Sequence, residues 1–328
     1  MNFRMKRILV LLTFMVSAWV LPAQDEVNFE FSDGISNAVL KSKMERQMCT
    51  LLTAINKAAR EGCDINFSGI DIDPIASQSI TALWANAHFR CLDDDIVEHC
   101  IALKQGGRIS QYQTRNIAVE MKPVDASYTD DINQEICVNF DLNGRICDFN
   151  IAMDIHQYTR LMKEGITLGD VDERQQIIQF CENFMNYYRE KDLANLEAIF
   201  SDDALIITGK EIIRRKPEIG MAEKEYEYTV QTKKQYLDNL RRIFTNPKTG
   251  AVSVRFSDYV VRRHGSKPNY YGVTLIQDWA TDTYRDQGYV FLVWDFTDKD
   301  KPKIQVRTWQ PMSTDKDEIF TLQRFKLH

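Results

Sequence analysis

The sequence predicts an α+β protein built as two tandem units, each with helices packed in a curved antiparallel sheet. Three observations carry this expectation. Asn143-Gly144 separates two runs that alternate apolar and polar residues between Val138 and Met153. The stretch FLVWDFTDKDKPKIQVRTWQP, Phe291 to Pro311, repeats that plan near the other end of the chain. In both halves helical periodicity precedes strand periodicity, which is an α+β order and not βαβ alternation. A length of 328 residues suits about two domains.

The chain opens with a basic head (Arg4, Lys6, Arg7), the apolar run ILVLLTFMVSAWVL and small Ala23 at the exit. This is the pattern of a secretory signal peptide over residues 1–23. The apolar run is shorter than the roughly 20 residues a membrane-spanning helix needs, and no Cys stands near the exit to take a lipid. Export to the periplasm or the exterior is the expectation, with no stable membrane span after cleavage.

The first unit is expected over 30–155. Val39, Leu40, Met44, Met48, Leu51, Leu52 and Ile55 recur at helical spacing, with Ser36 as the expected cap and Gly62 as the stop. Asp73 and Pro74 mark the start of a second helix carrying Ile80, Leu83 and Trp84. Strand patterns follow at about 96–103, 108–121, 134–141 and 146–153. Asn-Gly favours a type I′ turn, and a two-residue loop would pair Phe140 with Cys147, Val138 with Phe149 and Ile136 with Ile151.

Residues 156–173 read as a short helix and linker, and the second unit is expected over 174–314. Ile177, Phe180, Cys181, Phe184 and Tyr187 or Tyr188 share a helical face. LANLEAIF makes a short second helix, SDDALIITGKEI a loop leading to a strand, and KKQYLDNLRRIF a third helix. Strands are predicted at about 251–263, 269–281, 288–297 and 303–310, leaving a C-terminal tail over 315–328.

The net charge of −6 argues against a nucleic-acid partner, which requires a basic surface to neutralise phosphates. Seven cysteines leave two readings: disulfides, which an exported chain can form, or small buried hydrophobes. No Cys/His spacing suggests zinc. Phosphate-loop, dinucleotide, nucleophile-elbow and HExxH motifs are missing, so no cofactor and no metal is expected. Asp93-Asp94-Asp95 suit a helix start or loop better than a metal site, because adjacent side chains diverge.

The stretch FCENFMNYYREKDLANLEAIFSDDALIITG, Phe180 to Gly209, together with the ending YVFLVWDF…KIQVRTWQP, resembles the nuclear transport factor 2-like (NTF2-like) superfamily near its SnoaL-like branch. SITALWANAHF, QYQTRNIAVEM and the Asn-Gly hairpin make the first half resemble a divergent unit of the same kind, as in exported proteins of gut Bacteroidetes. The resemblance implies cone-shaped domains with a cavity between helix and sheet. Its members include isomerases, dehydratases, hydrolases and non-catalytic binding modules, so fold does not select function. It also implies pairing through outer sheet faces, here an intramolecular pseudo-dimer of the two halves. The apolar character of both faces of YVFLVWDF motivates that expectation.

The resemblance places an acid, Tyr or Arg on the cavity wall. Candidates for catalysis are Asp278, Asp295 and Arg307 on successive strands; candidates for ligand binding are Tyr187, Tyr188, Trp279, Trp294 and Trp309. Surface ion pairing and core packing are the competing readings for these residues. Two functions stand against each other. One is an exported non-catalytic module binding a small apolar ligand or an envelope protein. The other is an isomerase, dehydratase or hydrolase acting in the second cavity.

Overall fold

The computed structural model describes residues 25–124, 131–215 and 222–325. The expected signal peptide lies outside the described residues. The first half runs β1 (Asn28–Asp33), α1 (Ala38–Glu61), α2 (Pro74–Asn86), β2 (Ala87–Cys91), β3 (Asp95–His99), β4 (Ile101–Gln105), β5 (Arg108–Pro123), β6 (Asn133–Phe140) and β7 (Ile146–Ile151). The second runs α3 (Ile155–Lys163), α4 (Leu168–Arg189), α5 (Leu193–Ile199), β8 (Phe200–Arg215), β9 (Ala222–Gln231), α6 (Lys233–Thr245), β10 (Val252–Arg263), β11 (Tyr270–Thr281), β12 (Arg285–Asp295) and β13 (Lys303–Pro311). The architecture is α+β, with curved, mainly antiparallel sheets.

In the first half β5 pairs with β2 and β4 along one edge and β6 along the other, and β7 continues from β6. Helix α1 lays Met44, Met48, Leu51, Leu52 and Ile55, which share one helical face, onto this sheet's inner face. Asn37, not Ser36, caps it: Oδ1 accepts from the N–H groups of Val39 and Leu40, both at 3.1 Å. Gly62 ends it at φ 65°. Asp73 and Pro74 start α2 as expected. Strand β1, which pairs in parallel with β3, alternates buried Phe29 and Phe31 with exposed polar residues; this short period-two run was not predicted.

The Asn143-Gly144 connection differs from the expected type I′ turn. Of the two, only Gly144 has positive φ, 76°. Asp141 Oδ1 accepts from the N–H groups of Asn143 (2.8 Å) and Arg145 (3.0 Å), and Gly144 N–H donates to Asp141 O (3.0 Å). A type I turn closed by a left-handed glycine results. The extra loop residue shifts the ladder by one, so Phe140 pairs with Ile146 and not Cys147. Val138–Phe149 and Ile136–Ile151 pair as predicted.

The second sheet has six strands in the order β10-β11-β12-β13-β8-β9, antiparallel except for β13 beside β8. Helices α4 and α6 supply Ile177, Phe184, Tyr188, Tyr236, Leu240 and Phe244 to its core. Helix α6 opens with a capping box between Thr232 and Gln235. The outer face of YVFLVWDF is covered by the chain's own tail: Leu322, Phe320 and Phe325 lie on Phe291, Val293 and Val306. The tail therefore accounts for the two-faced apolar pattern that motivated a pairing of sheets.

The halves join through α4. One face of the helix fills the second core. The other meets the outer face of the first sheet, where Gln111, Gln113, Arg115, Asn139 and Asn150 alternate with core residues. Arg115 and Glu182 form a fully buried ion pair, and Met153 N–H also donates to Glu182 (2.8 Å). Tyr158 stacks under the guanidinium at 4.3 Å. Gln179 reaches Gln111 (2.9 Å), Asn150 reaches Asn183 (2.8 Å) and Gln176 reaches Lys104 O (2.9 Å). The join is helix on sheet, because α4 occupies the place that a second sheet face would need.

Candidate functional site

Gly209 on β8 and Gly288 on β12 flank Trp309 on the intervening strand β13. A Cβ at Gly209 would sit 2.2 Å from Trp309 Cε3, and one at Gly288 2.5 Å from its Nε1. Two neighbouring strands thus give up their side chains to admit one indole. Trp309 ends at the wall of an open groove of about 560 Å³, also lined by Tyr226, Glu211, Trp279, Asp286 and Met312.

Along β12 the residues Asp286, Gly288, Val290, Leu292 and Trp294 share the inner face, and Trp279 pairs with Asp286 across the ladder. Asp286 is the polar member of that row. Tyr284 OH donates to its Oδ2 at 2.7 Å. Its Oδ1 is buried with no hydrogen-bond partner among the described residues. Burial raises the Asp286 pKa above the usual carboxylate range, with Asp278 and Glu211 adding to the rise and Tyr284 and Arg307 opposing it.

Behind the groove is a buried polar set. Arg307, 4% exposed, donates from Nη2 to Gln277 Oε1 at 2.9 Å and lies 5.4 Å over the Tyr236 ring. It also hydrogen-bonds Tyr188, and the Tyr188 and Tyr236 hydroxyls are bonded to each other. Arg307 Nε has no hydrogen-bond partner among the described residues. The Tyr188 ring meets Trp279 edge-on, 5.1 Å between centroids.

The predicted residues divide accordingly. Arg307 faces inward, but Asp278 and Asp295 face outward, so the Asp–Arg–Asp set does not assemble. Asp278 follows inward Gln277, yet it is among the residues that line the groove; it accepts from Gln287 Nε2 (2.6 Å) and approaches Arg255 (3.6 Å). Asp295 accepts from Thr297 N–H (2.8 Å) and Gln305 Nε2 (3.2 Å). A bulge between β12 and β13 at Val293/Trp294 sets Asp295 opposite Lys303 but Leu292 opposite Arg307. That one-residue shift turns Arg307 away from the Asp295 face.

Of the proposed aromatic wall, Trp279 and Trp309 line the groove and Tyr188 supports Trp279. Trp294 is fully buried against Phe180 (4.2 Å) and does not reach the groove. Tyr187 is half-buried and hydrogen-bonds Asn183, with burial raising its hydroxyl to about 12. Sequence reasoning missed Asp286, Tyr226 and Tyr236. Asp286 lay in TDTYRDQ, read as a connection, whereas β12 begins at Arg285. The period-two row from Asp286 to Trp294 was the available signal.

The seven cysteines are free thiols. Burial raises Cys91, Cys100 and Cys147 to about 12, which leaves them inert as nucleophiles. Among the described residues no group of His, Cys, Asp and Glu has the geometry to hold a metal ion, and no helix is long and apolar enough to cross a membrane.

No family model and no curated protein matches the chain. Solved structures do. One is the Bdellovibrio bacteriovorus protein Bd1075, at 15% identity and TM-score 0.33, covering 46% of this chain; this chain spans 45% of that structure's length. Another is an NTF2-like protein from Cytophaga hutchinsonii, at 18% identity and TM-score 0.31, covering 42% of this chain and 98% of that one. A third, an NTF2-like superfamily protein from Salmonella enterica, has 13% identity and TM-score 0.32 and covers 44% and 96%. The solved structures similar to this chain thus include members of the nuclear transport factor 2-like superfamily, each covering less than half of this chain.

Proposed function

We propose that this is an exported, non-catalytic binding protein that holds a small, largely aromatic molecule in the groove beside Trp279 and Trp309. The observation that carries the reading is Asp286 Oδ1, a buried acceptor on the wall of that groove with no donor among the described residues. A buried acceptor left unmet costs about 1–3 kcal/mol, and a ligand hydroxyl would meet it. The indoles offer the flat apolar surface that such a ligand needs. Export rests on residues 1–23, and the division into two units over 30–155 and 174–314 rests on the two separate cores.

Native mass spectrometry of the purified protein tests for a retained compound. Quenching of tryptophan fluorescence by 4-phenylphenol, set against 4-methoxybiphenyl, tests the acceptor. The phenol is expected to bind tighter in the wild type, and Asp286→Asn to remove that preference. Equal affinity for the two probes, or no quenching by either, would overturn the reading.

A second reading has one observation in its favour. Asp286 combines a carboxyl whose pKa is raised by burial with a tyrosine hydroxyl donating to it at 2.7 Å, an acid and a hydroxyl placed as general acid–base catalysis requires. An isomerase, dehydratase or hydrolase acting there would lose turnover in Asp286→Asn while keeping its substrate affinity.

A further inference from the structure

A second cavity, also of about 560 Å³, lies at the seam between the halves. It exists only because α4 holds the two sheets together. Ala118 and Glu135 of the first sheet form one side, and Val254 and Phe256 of β10 form the other. Met153 and Met185, 5% and 8% exposed, form the apolar floor. Met185 Sδ accepts from Phe256 N–H at 3.3 Å, which fixes that floor to the second sheet.

The polar groups of this cavity are unequally satisfied. Arg255 pairs with Asp131 and Asp278, at 3.6 Å each, while its Nε is a buried donor with no hydrogen-bond partner among the described residues. Asp154 Oδ1 caps α3, accepting from the N–H groups of His156 (3.0 Å) and Gln157 (3.1 Å). Arg189 donates to Asn186 Oδ1 at 2.8 Å. Glu135 Oε2 alone among these carboxylate oxygens is buried with no hydrogen-bond partner among the described residues. Burial and the like charge of Asp154 both raise the Glu135 pKa, and Arg115 only partly opposes them. Among the described residues this oxygen therefore has no donor, and a cationic donor makes a stronger hydrogen bond to a carboxylate than a neutral one.

We propose that the seam cavity binds a small molecule with an apolar body and a protonated amine, the amine donating to Glu135 Oε2. The apolar body lies on Met153, Met185 and Phe256, where flexible thioethers adapt to its outline. This site is separate from the groove at Trp309 and does not depend on it.

The probe is 2-phenylethylamine, with 2-phenylethanol and 3-phenylpropionate as neutral and anionic counterparts, titrated into full-length protein carrying ¹³C-methyl methionine. The amine is expected to shift the Met153 and Met185 methyl resonances and leave Met312, in the groove, unmoved. The alcohol should bind at least tenfold more weakly, and Glu135→Gln should weaken the amine by a similar factor. Failure of the amine to move Met153 and Met185 overturns the proposal. So does equal affinity for the alcohol, or unchanged affinity in Glu135→Gln. If that variant does not fold, the comparison of amine with alcohol in the wild type decides alone.

Discussion

Arg115 and Glu182 lie on opposite halves of the chain and meet in a two-pronged ion pair, 2.6 and 3.0 Å, that is at most 1% exposed. Neither half satisfies its own charge. Truncating Glu182 leaves a guanidinium buried without compensation, at a cost of about 3–5 kcal/mol. Urea melts should show Glu182→Ala losing that much, and the double replacement Arg115→Met/Glu182→Leu recovering most of it. A double variant as weak as the single one would show that the pair's charge is not what matters.

Asp148 gives the seam a dependence on pH. Burial raises its pKa to about 6 in the folded protein, against hydrogen bonds from Asn150, Asn183 and the Phe149 N–H that lower it. An acid whose pKa is raised on folding binds more protons folded than unfolded. Stability then falls as pH rises from about 4 to about 6 and levels off above. Asp148→Asn removes that slope and should gain on the order of 2 kcal/mol at pH 7.5 relative to pH 4. Melting curves of both proteins at the two pH values check this.

Trp309 depends on the emptiness beside it. Gly209→Ala puts a methyl group 2.2 Å from Cε3 of the indole, and overpacking of this kind costs about 1–3 kcal/mol. The ring must move, so the tryptophan emission and the affinity for 4-phenylphenol should both change. An unaltered spectrum would mean that the indole is not confined there.

Leu322 seals the outer face over Phe291 and Val293. Leu322→Ala is expected to cost about 2 kcal/mol. Removal of residues 316–328 should expose those side chains and raise binding of a hydrophobic dye. A truncated protein with native melting temperature and no dye binding would show that the tail is dispensable.

Element type was legible wherever one period ran long enough to dominate. Met44, Met48, Leu51 and Ile55 announced α1, and the 252–263 and 270–281 runs announced β10 and β11. The candidate site was less legible because it depends on counts of one. A single extra residue at the Val293/Trp294 bulge decided which way Arg307 points, and no propensity encodes such a shift. Asp286 was hidden by its neighbours: Thr, Asp and Arg around it look like a turn, yet the strand had already begun. The join was hidden differently. Glu182 and Gln179 lie off the apolar residues that mark this helix in the sequence, and only the fold brings a polar sheet face to meet them.

Helix α4 is a party wall, owned by both rooms. Cutting the gene ahead of it would leave the upstream fragment with an orphaned cation on an open sheet, and would leave the downstream fragment displaying a bare carboxylate on its principal helix. Any tilt of that helix provoked by an occupant on one side must be felt on the other.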